Sequence, residues 1–278
     1  MARKIRSAPR GSRRFFLSAW VCVALLACDA TSESPAGSTP AEADPPGVVS
    51  IGEASARALL LMNWGESIVA ADPIAYLVLR QAGLDTTNVA GTVTLNGTVA
   101  TTGTNLDLGA ATLGSAVTVT TGAGAGDIAT GALTAASNAL TLVAGTGSTT
   151  VASVDTASTL TVTSSTDTRF TGAVSASDIA LTASTGTITF SGDTTATNGL
   201  TTTTSVTDLV FGENLNIDTA AVLFNNTGAL TLGVGGADVL TFDGGVTTTG
   251  VGGTVTLNGD VVTSADAATF GAVSYTHL

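Results

Sequence analysis

The chain has 278 residues, of which only 11% are charged and 4% are aromatic, while 33 are glycine. An ordinary globular domain carries about a quarter charged residues and a disordered chain is poor in β-branched residues, so this composition, rich in Val, Ile and Thr, argues against both classes. The net charge of −12 argues against nucleic acid and anionic membrane surfaces as partners, because like charges repel.

The first 27 residues have the three parts of a bacterial export signal: a basic start, an apolar stretch over residues 15–27 and small residues at the cleavage point. Arg13 and Arg14, followed by Phe-Phe-Leu, resemble the twin-arginine export pattern, which a receptor reads. Residues 25–28 (LLAC) resemble a lipobox, which implies acylation of Cys28 and cleavage before it. An ordinary cut after Ala30 is the alternative.

Residues 28–47 are rich in Ser, Thr, Pro, Ala and Glu, a composition that cannot bury a core. We predict a disordered tether that holds the body of the protein away from the membrane. Cleavage before Cys28 leaves three basic residues against 21 acidic ones, a net charge of −18. It leaves no cysteine besides the lipidated one, so a disulfide or a thiolate site is not expected.

Residues 48–88 have a different character. Two stretches, residues 53–64 and 73–83, have the apolar spacing of short helices, and Asp72 followed by Pro73 is a suitable start for the second. We predict a short helical cap that covers the first exposed strand edges of the domain that follows. A separate recognition module is the alternative.

Residues 89–272 alternate apolar and polar residues and repeat one phrase: a strand that ends in Phe or Leu, one further residue, then Gly. Phe170, Phe190 and Phe211 follow one another at 20 and 21 residues, the length of one coil of a β-solenoid. The pattern predicts an all-β, parallel β-solenoid of about nine coils. The three rings should stack as an internal ladder, and the glycine after each should turn the chain with a positive φ.

The repeat resembles the β-strand repeats of large bacterial exoproteins, the filamentous-haemagglutinin-like and autotransporter-passenger adhesins. The resemblance covers most of residues 89–272. It implies a right-handed parallel β-helix displayed outside the cell, lipid-anchored in the envelope or secreted, with a structural or adhesive role. Its partners would be the membrane that holds the lipid anchor, together with surface polysaccharide or other cells.

The last six residues, 273–278 (VSYTHL), back-translate to a sequence that resembles a transposon-based sequencing adapter. We therefore expect that these residues, including the only histidine, His277, are not encoded by the organism. On this interpretation the chain is the first part of a longer adhesin.

Catalytic chemistry is poorly supported. Between residues 89 and 272 there is one basic residue, Arg169, one glutamate, Glu213, and no Lys, His or Cys. Polysaccharide-acting β-helix enzymes need clustered carboxylates with a basic partner, so we predict that the chain is not an enzyme. Asp238 and Asp243, which flank a predicted turn, are the carboxylate pair most worth testing. A carbohydrate-acting enzyme with its active coils in a missing C-terminal part is the alternative.

Two ligand-binding alternatives come from short motifs. Residues 233–240 partly match the calcium-binding nonapeptide of β-roll proteins, with Asp238 as the candidate ligand, but only one copy occurs. No cofactor is therefore expected, and calcium bound in this loop or spread over the acidic surface is the alternative. Flat threonine ladders on β-solenoids can bind ice, but the Thr-x-Thr pairs here are spaced at 26, 41, 28 and 67 residues, which does not predict a continuous face. These pairs begin at Thr92, Thr118, Thr159, Thr187 and Thr254.

Overall fold

The computed structural model describes residues 67–69, 77–79 and 83–275. These residues form 23 β-strands and no helix. The export signal with Arg13, Arg14 and Cys28, the predicted tether, the helix predicted over residues 53–64 and residues 276–278 lie outside the described residues.

The long strands continue around a corner and pair on more than one face, whereas the short strands lie on one face only. The first twelve are β1 Ser67–Val69, β2 Leu77–Leu79, β3 Leu84–Asp85, β4 Thr92–Thr101, β5 Leu106–Leu108, β6 Ala111–Thr120, β7 Ile128–Thr134, β8 Leu140–Val143, β9 Thr149–Ser164, β10 Thr168–Phe170, β11 Val174–Leu181 and β12 Ser184–Phe190. The others are β13 Thr194–Thr202, β14 Val206–Phe211, β15 Leu215–Ile217, β16 Val222–Leu223, β17 Leu230–Leu232, β18 Val239–Phe242, β19 Val246–Thr247, β20 Val255–Leu257, β21 Asp260–Val262, β22 Ala268–Thr269 and β23 Val273–Tyr275.

Every strand pairing in the described part of the chain is parallel and joins strands one coil apart. A chain that winds in one direction must pair in this way, because each rung runs in the same sense as the rung before it. The coils form a parallel β-solenoid of about 9 turns. The predicted all-β solenoid of about nine coils is therefore confirmed.

Each coil has three faces, and β9 contributes to all of them. Residues 149–151 lie on face A, residues 153–155 on face B and residues 159–164 on face C. Face A contains β3, β5, β10, β12, β14, β17, β20, β23 and the first residues of β7 and β9. Face B contains β1, β15, β18, β21, the first parts of β4, β6, β11 and β13, the end of β7 and the middle of β9. Face C contains β2, β8, β16, β19, β22 and the ends of β4, β6, β9, β11 and β13.

The interior is filled by apolar side chains stacked in columns, because strand alternation turns every second residue inward. The rings of the predicted ladder are parallel, with centroids 4.7 Å apart for Phe170 and Phe190 and 4.9 Å apart for Phe190 and Phe211. Two further buried rings extend this cluster edge-on: Phe224 lies 6.3 Å from Phe211, and Phe242 lies 6.4 Å from Phe224. The aromatic cluster therefore extends beyond the three phenylalanines that the 20-residue spacing predicted to stack.

The glycines that follow the ladder rings are required for a different reason from the one expected. Gly172 and Gly192 do not have a positive φ. A Cβ on Gly192 would lie 2.6 Å from the backbone carbonyl carbon of Gly172, so glycine is needed because two successive backbones approach closely at this corner. The expected left-handed conformation occurs instead at Gly97 (φ 68°) and Gly259 (φ 108°), each of which directly follows the residues Leu-Asn.

The helix predicted over residues 73–83 is wrong at its centre, because Leu77–Leu79 form β2. This strand pairs in register with residues 99–101 of β4. Pairing satisfies the backbone groups of an apolar segment at the sheet edge, and this outweighs a local helical spacing. Since β1 and β3 also pair with β4 and β5, the parallel sheet begins before residue 89.

The last described strand, β23, pairs in register with β20 and continues face A. The sheet therefore includes residues 273–275, which are the first three of the six terminal residues that we expected not to be encoded by the organism. His277 lies outside the described residues.

Replacing Phe190 with Ala should lower the free energy of unfolding by about 3–5 kcal/mol, because its ring is fully buried between two stacked neighbours and its loss opens a cavity. The control is Thr189→Ala, whose side chain faces outward on the same strand and whose effect should stay within about 0.5 kcal/mol. Urea denaturation of both variants measures the difference, and equal stabilities would contradict the role of the ladder.

Replacing Gly192 with Ala should destabilise the fold by about 1–3 kcal/mol, since the new methyl group forces two backbones apart. Gly236→Ala is the matched control, because a Cβ at Gly236 meets nothing within 4 Å. Thermal unfolding followed by circular dichroism compares the two. A Gly192→Ala variant with the Tm of Gly236→Ala would show that the corner can relax.

Candidate functional surfaces

The outward side chains form one central column on each face, defined by the backbone register. These columns are the candidate functional surfaces, since the interior is filled with apolar side chains. The column of face A begins with Asp85, Asp107, Ala129, Thr150, Arg169 and Thr189. The column of face B begins with Thr94, Thr112, Thr134 and Asp155. The column of face C begins with Thr98, Thr118, Thr141, Thr161, Ala180 and Thr201.

Face C differs from the other two in charge. Its segments contain no Lys, Arg or Glu among the described residues. Their one carboxylate, Asp178, lies at the corner with face B and accepts a hydrogen bond from Nδ2 of Asn198 on the next coil at 2.8 Å. The outward residues Thr98, Thr118, Thr141 and Thr161 of this face are half-buried, and Thr201 is exposed. In the described part of the chain, the acidic charge is thus carried by faces A and B and by the corners.

Several corner carboxylates have a structural role that the sequence analysis did not assign. Oδ1 of Asp167 accepts a hydrogen bond from the backbone N–H of Thr187 at 2.8 Å, and Oδ1 of Asp208 accepts one from Ala229 at 2.7 Å. Asp127 holds the N–H of Ser148 in the same way. Each carboxylate therefore ties its coil to the next. The signal in the sequence is an Asp directly before a buried residue of face A.

The structure does not bring the candidate catalytic residues together. Asp238 and Asp243 flank the extended strand β18, which separates their Cα atoms by about 16 Å, whereas the two carboxyl groups of glycosidases are about 5–9.5 Å apart. Arg169 is also distant from this pair. It lies on face A three coils before Thr231, the face A residue of the coil that contains Asp238 and Asp243, which is about 14 Å away along the axis. The paired acid and base that hydrolysis of a glycosidic bond needs are not formed by these residues.

Asp238, the calcium candidate, is buried in its own glycine-rich loop. It is 8% exposed, and its Oδ2 accepts hydrogen bonds from the backbone N–H groups of Val234 and Gly235, both at 2.8 Å. This is the geometry of an aspartate that closes a turn. No group of three or more His, Cys, Asp or Glu side chains in the described part of the chain is placed to hold a metal ion.

A surface depression of about 350 Å³ lies on face A near the start of the described solenoid. Asp85 and Asp107 lie on its wall in register on successive coils. Oδ1 of Asp85 accepts hydrogen bonds from the backbone N–H and the hydroxyl of Thr87, at 2.9 and 2.6 Å. This carboxylate therefore orders the turn that follows β3.

The threonine column of face C was missed because the coils differ in length. Thr98, Thr118, Thr141 and Thr161 follow at 20, 23 and 20 residues. The Thr-x-Thr pattern includes only Thr118 and Thr161 of these four, so a search for that pattern at constant spacing does not reveal the column. The signal that finds them is a threonine directly before a buried Val or Leu in each coil.

Comparisons with known proteins found no match: no family model, no curated protein and no solved structure is similar to this chain. A β-solenoid by itself does not identify a function, because function depends on the residues that a fold presents. Within the described residues no helix is both long and apolar enough to cross a membrane.

Replacing Asp238 with Ala should destabilise the protein by about 1–3 kcal/mol, because two backbone N–H groups lose their acceptor. Asp238→Asn keeps an acceptor oxygen and should retain most of the stability. Thermal unfolding with and without added calcium distinguishes an aspartate that closes the turn from one that binds calcium. A calcium-dependent rise in Tm that Asp238→Asn abolishes would assign the loop to metal binding instead.

Proposed function

We propose that this chain is an exported, non-catalytic structural and adhesive protein of a bacterial cell envelope. Acylation of Cys28 would anchor it in a membrane, and residues 28–47 would hold the solenoid away from that surface. The solenoid would contact surface polysaccharide or other cells through its outward faces. The strong preference for right-handed crossovers between parallel strands supports a right-handed coil.

The observation that carries the proposal is the repetition of the same outward chemistry on successive coils. Face B presents Thr94, Thr112 and Thr134 in register, and face C presents a similar column. Hydroxyl groups repeated about every 4.8 Å on coils that are fixed by backbone pairing suit contact with a ligand that is itself extended and repetitive. A single small substrate would instead need a concave pocket with a few convergent polar groups.

The positions of the charged side chains also support a non-catalytic role. The carboxylates of Asp127, Asp167 and Asp208 each bind a backbone N–H of the next coil, so they contribute to the solenoid itself. The single described base, Arg169, is exposed and lies between the threonines Thr150 and Thr189 on neighbouring coils. The net charge of −18 after cleavage disfavours nucleic acid as a partner.

The proposal is tested by expressing the full chain in a bacterial host that processes lipoproteins. We expect a fatty-acid analogue to label the wild type and Cys22→Ala, whose substitution lies within the signal, but not Cys28→Ala. Cells that carry the labelled proteins should adhere to immobilised surface polysaccharide or to other cells more than cells without the gene.

Two outcomes would contradict this function. Equal adhesion of cells with and without the protein would exclude the adhesive role. Release of new reducing ends from the polysaccharide by the purified protein would identify an enzyme.

A further inference from the structure

The outward column of face C is a regular array of threonines. Thr98, Thr118, Thr141 and Thr161 occupy four successive coils in exact parallel register, and the column continues through Ala180 to Thr201. Neighbouring coils are about 4.8 Å apart, so the column from Thr98 to Thr201 is about 24 Å long.

A second column runs beside the first, two residues further along each strand. It contains Ala100, Thr120 and Val143, all small and uncharged, and β-strand geometry places it about 6.7 Å from the threonine column. On these three coils face C therefore presents a two-dimensional grid of hydroxyl and methyl groups. The grid is rigid, because each rung is fixed by backbone pairing on both sides and β-branched side chains are restricted at χ1.

The hydroxyls of the main column are available to a ligand. Thr98, Thr118, Thr141 and Thr161 make no hydrogen bond through their side chains within the described structure. This contrasts with the hydroxyls at the corners, such as those of Thr121 and Thr166, which donate to backbone carbonyls at 2.7 Å.

The charge of face C limits the chemistry of its partner. The chain would carry −18 after cleavage before Cys28, yet the described residues of this face include no charged side chain except Asp178 at its corner. An uncharged, rigid surface complements an uncharged, rigid partner. The aromatic rings Phe170, Phe190 and Phe211 are all buried, so they cannot stack on the apolar face of a sugar ring.

We propose that face C binds the surface of ice. The two spacings of the grid are close to the repeat of water oxygens on the prism face of hexagonal ice. Hydroxyls and methyls held at these spacings would order the intervening water into a layer that merges with the crystal. Because the grid is preorganised by the solenoid, little conformational entropy is lost on binding. This activity goes beyond the adhesive role and does not depend on the lipid anchor.

The test compares two faces of the same protein. Thr118→Tyr and Thr141→Tyr each place a bulky ring in the face C column, whereas Thr112→Tyr places the same ring on a half-buried outward threonine of face B, between Thr94 and Thr134. The purified full chain is cooled in contact with a single ice crystal, and the gap between freezing and melting temperatures is measured. Circular dichroism and Tm establish that each variant is folded.

We expect the wild type and Thr112→Tyr to open a gap and to partition into growing ice, and both face C variants to lose most of that gap while they keep their Tm. The inference is overturned if the wild type opens no gap, or if Thr112→Tyr loses as much as Thr141→Tyr. Binding to crystalline polysaccharide without any effect on ice would also overturn it and would assign face C to carbohydrate.

Discussion

Parallel backbone pairing between successive coils is the constraint on which every other feature of this protein depends. Because each rung is paired in register with the rungs before and after it, a residue that faces inward must pack on the inward residues of its neighbours. Phe170, Phe190 and Phe211 stack for this reason, with ring planes within 10° of parallel. No coil buries its own apolar side chains alone, so stability is shared between neighbours.

The coils differ in their number of residues, and the corners accommodate this difference, because the paired strands of the faces must stay in register. Paired residues are separated by as few as 18 positions, as for Val93 and Ala111, and by as many as 25, as for Leu215 and Leu240. The extra residues lie in turns, where glycines such as Gly192 allow close backbone approach and Asp167 binds a backbone N–H of the next coil. Buried Asn226 acts similarly, donating to three carbonyl oxygens at 2.9–3.1 Å.

Register also determines where chemistry is displayed. Residues that are about 20 positions apart in the chain become neighbours about 4.8 Å apart on a face, so each face acquires its own character. Asp85, Asp107 and Arg169 belong to face A, whereas face C carries a neutral threonine column. Recognition by such a molecule is a property of a whole face, which is why the proposed activities involve extended or crystalline partners.

The sequence by itself determined the parallel solenoid, its approximate number of coils and the stacked phenylalanines. The alternation of apolar and polar residues and the 20-residue step are patterns that can be recognised without knowing where the corners lie. Two features were decided only by the tertiary structure. Leu77–Leu79 have a helical context, but their pairing partner lies 22 residues away in β4 and makes them a strand. The column from Thr98 to Thr201 is hidden in the sequence, because coils of unequal length come into register only when their backbones pair.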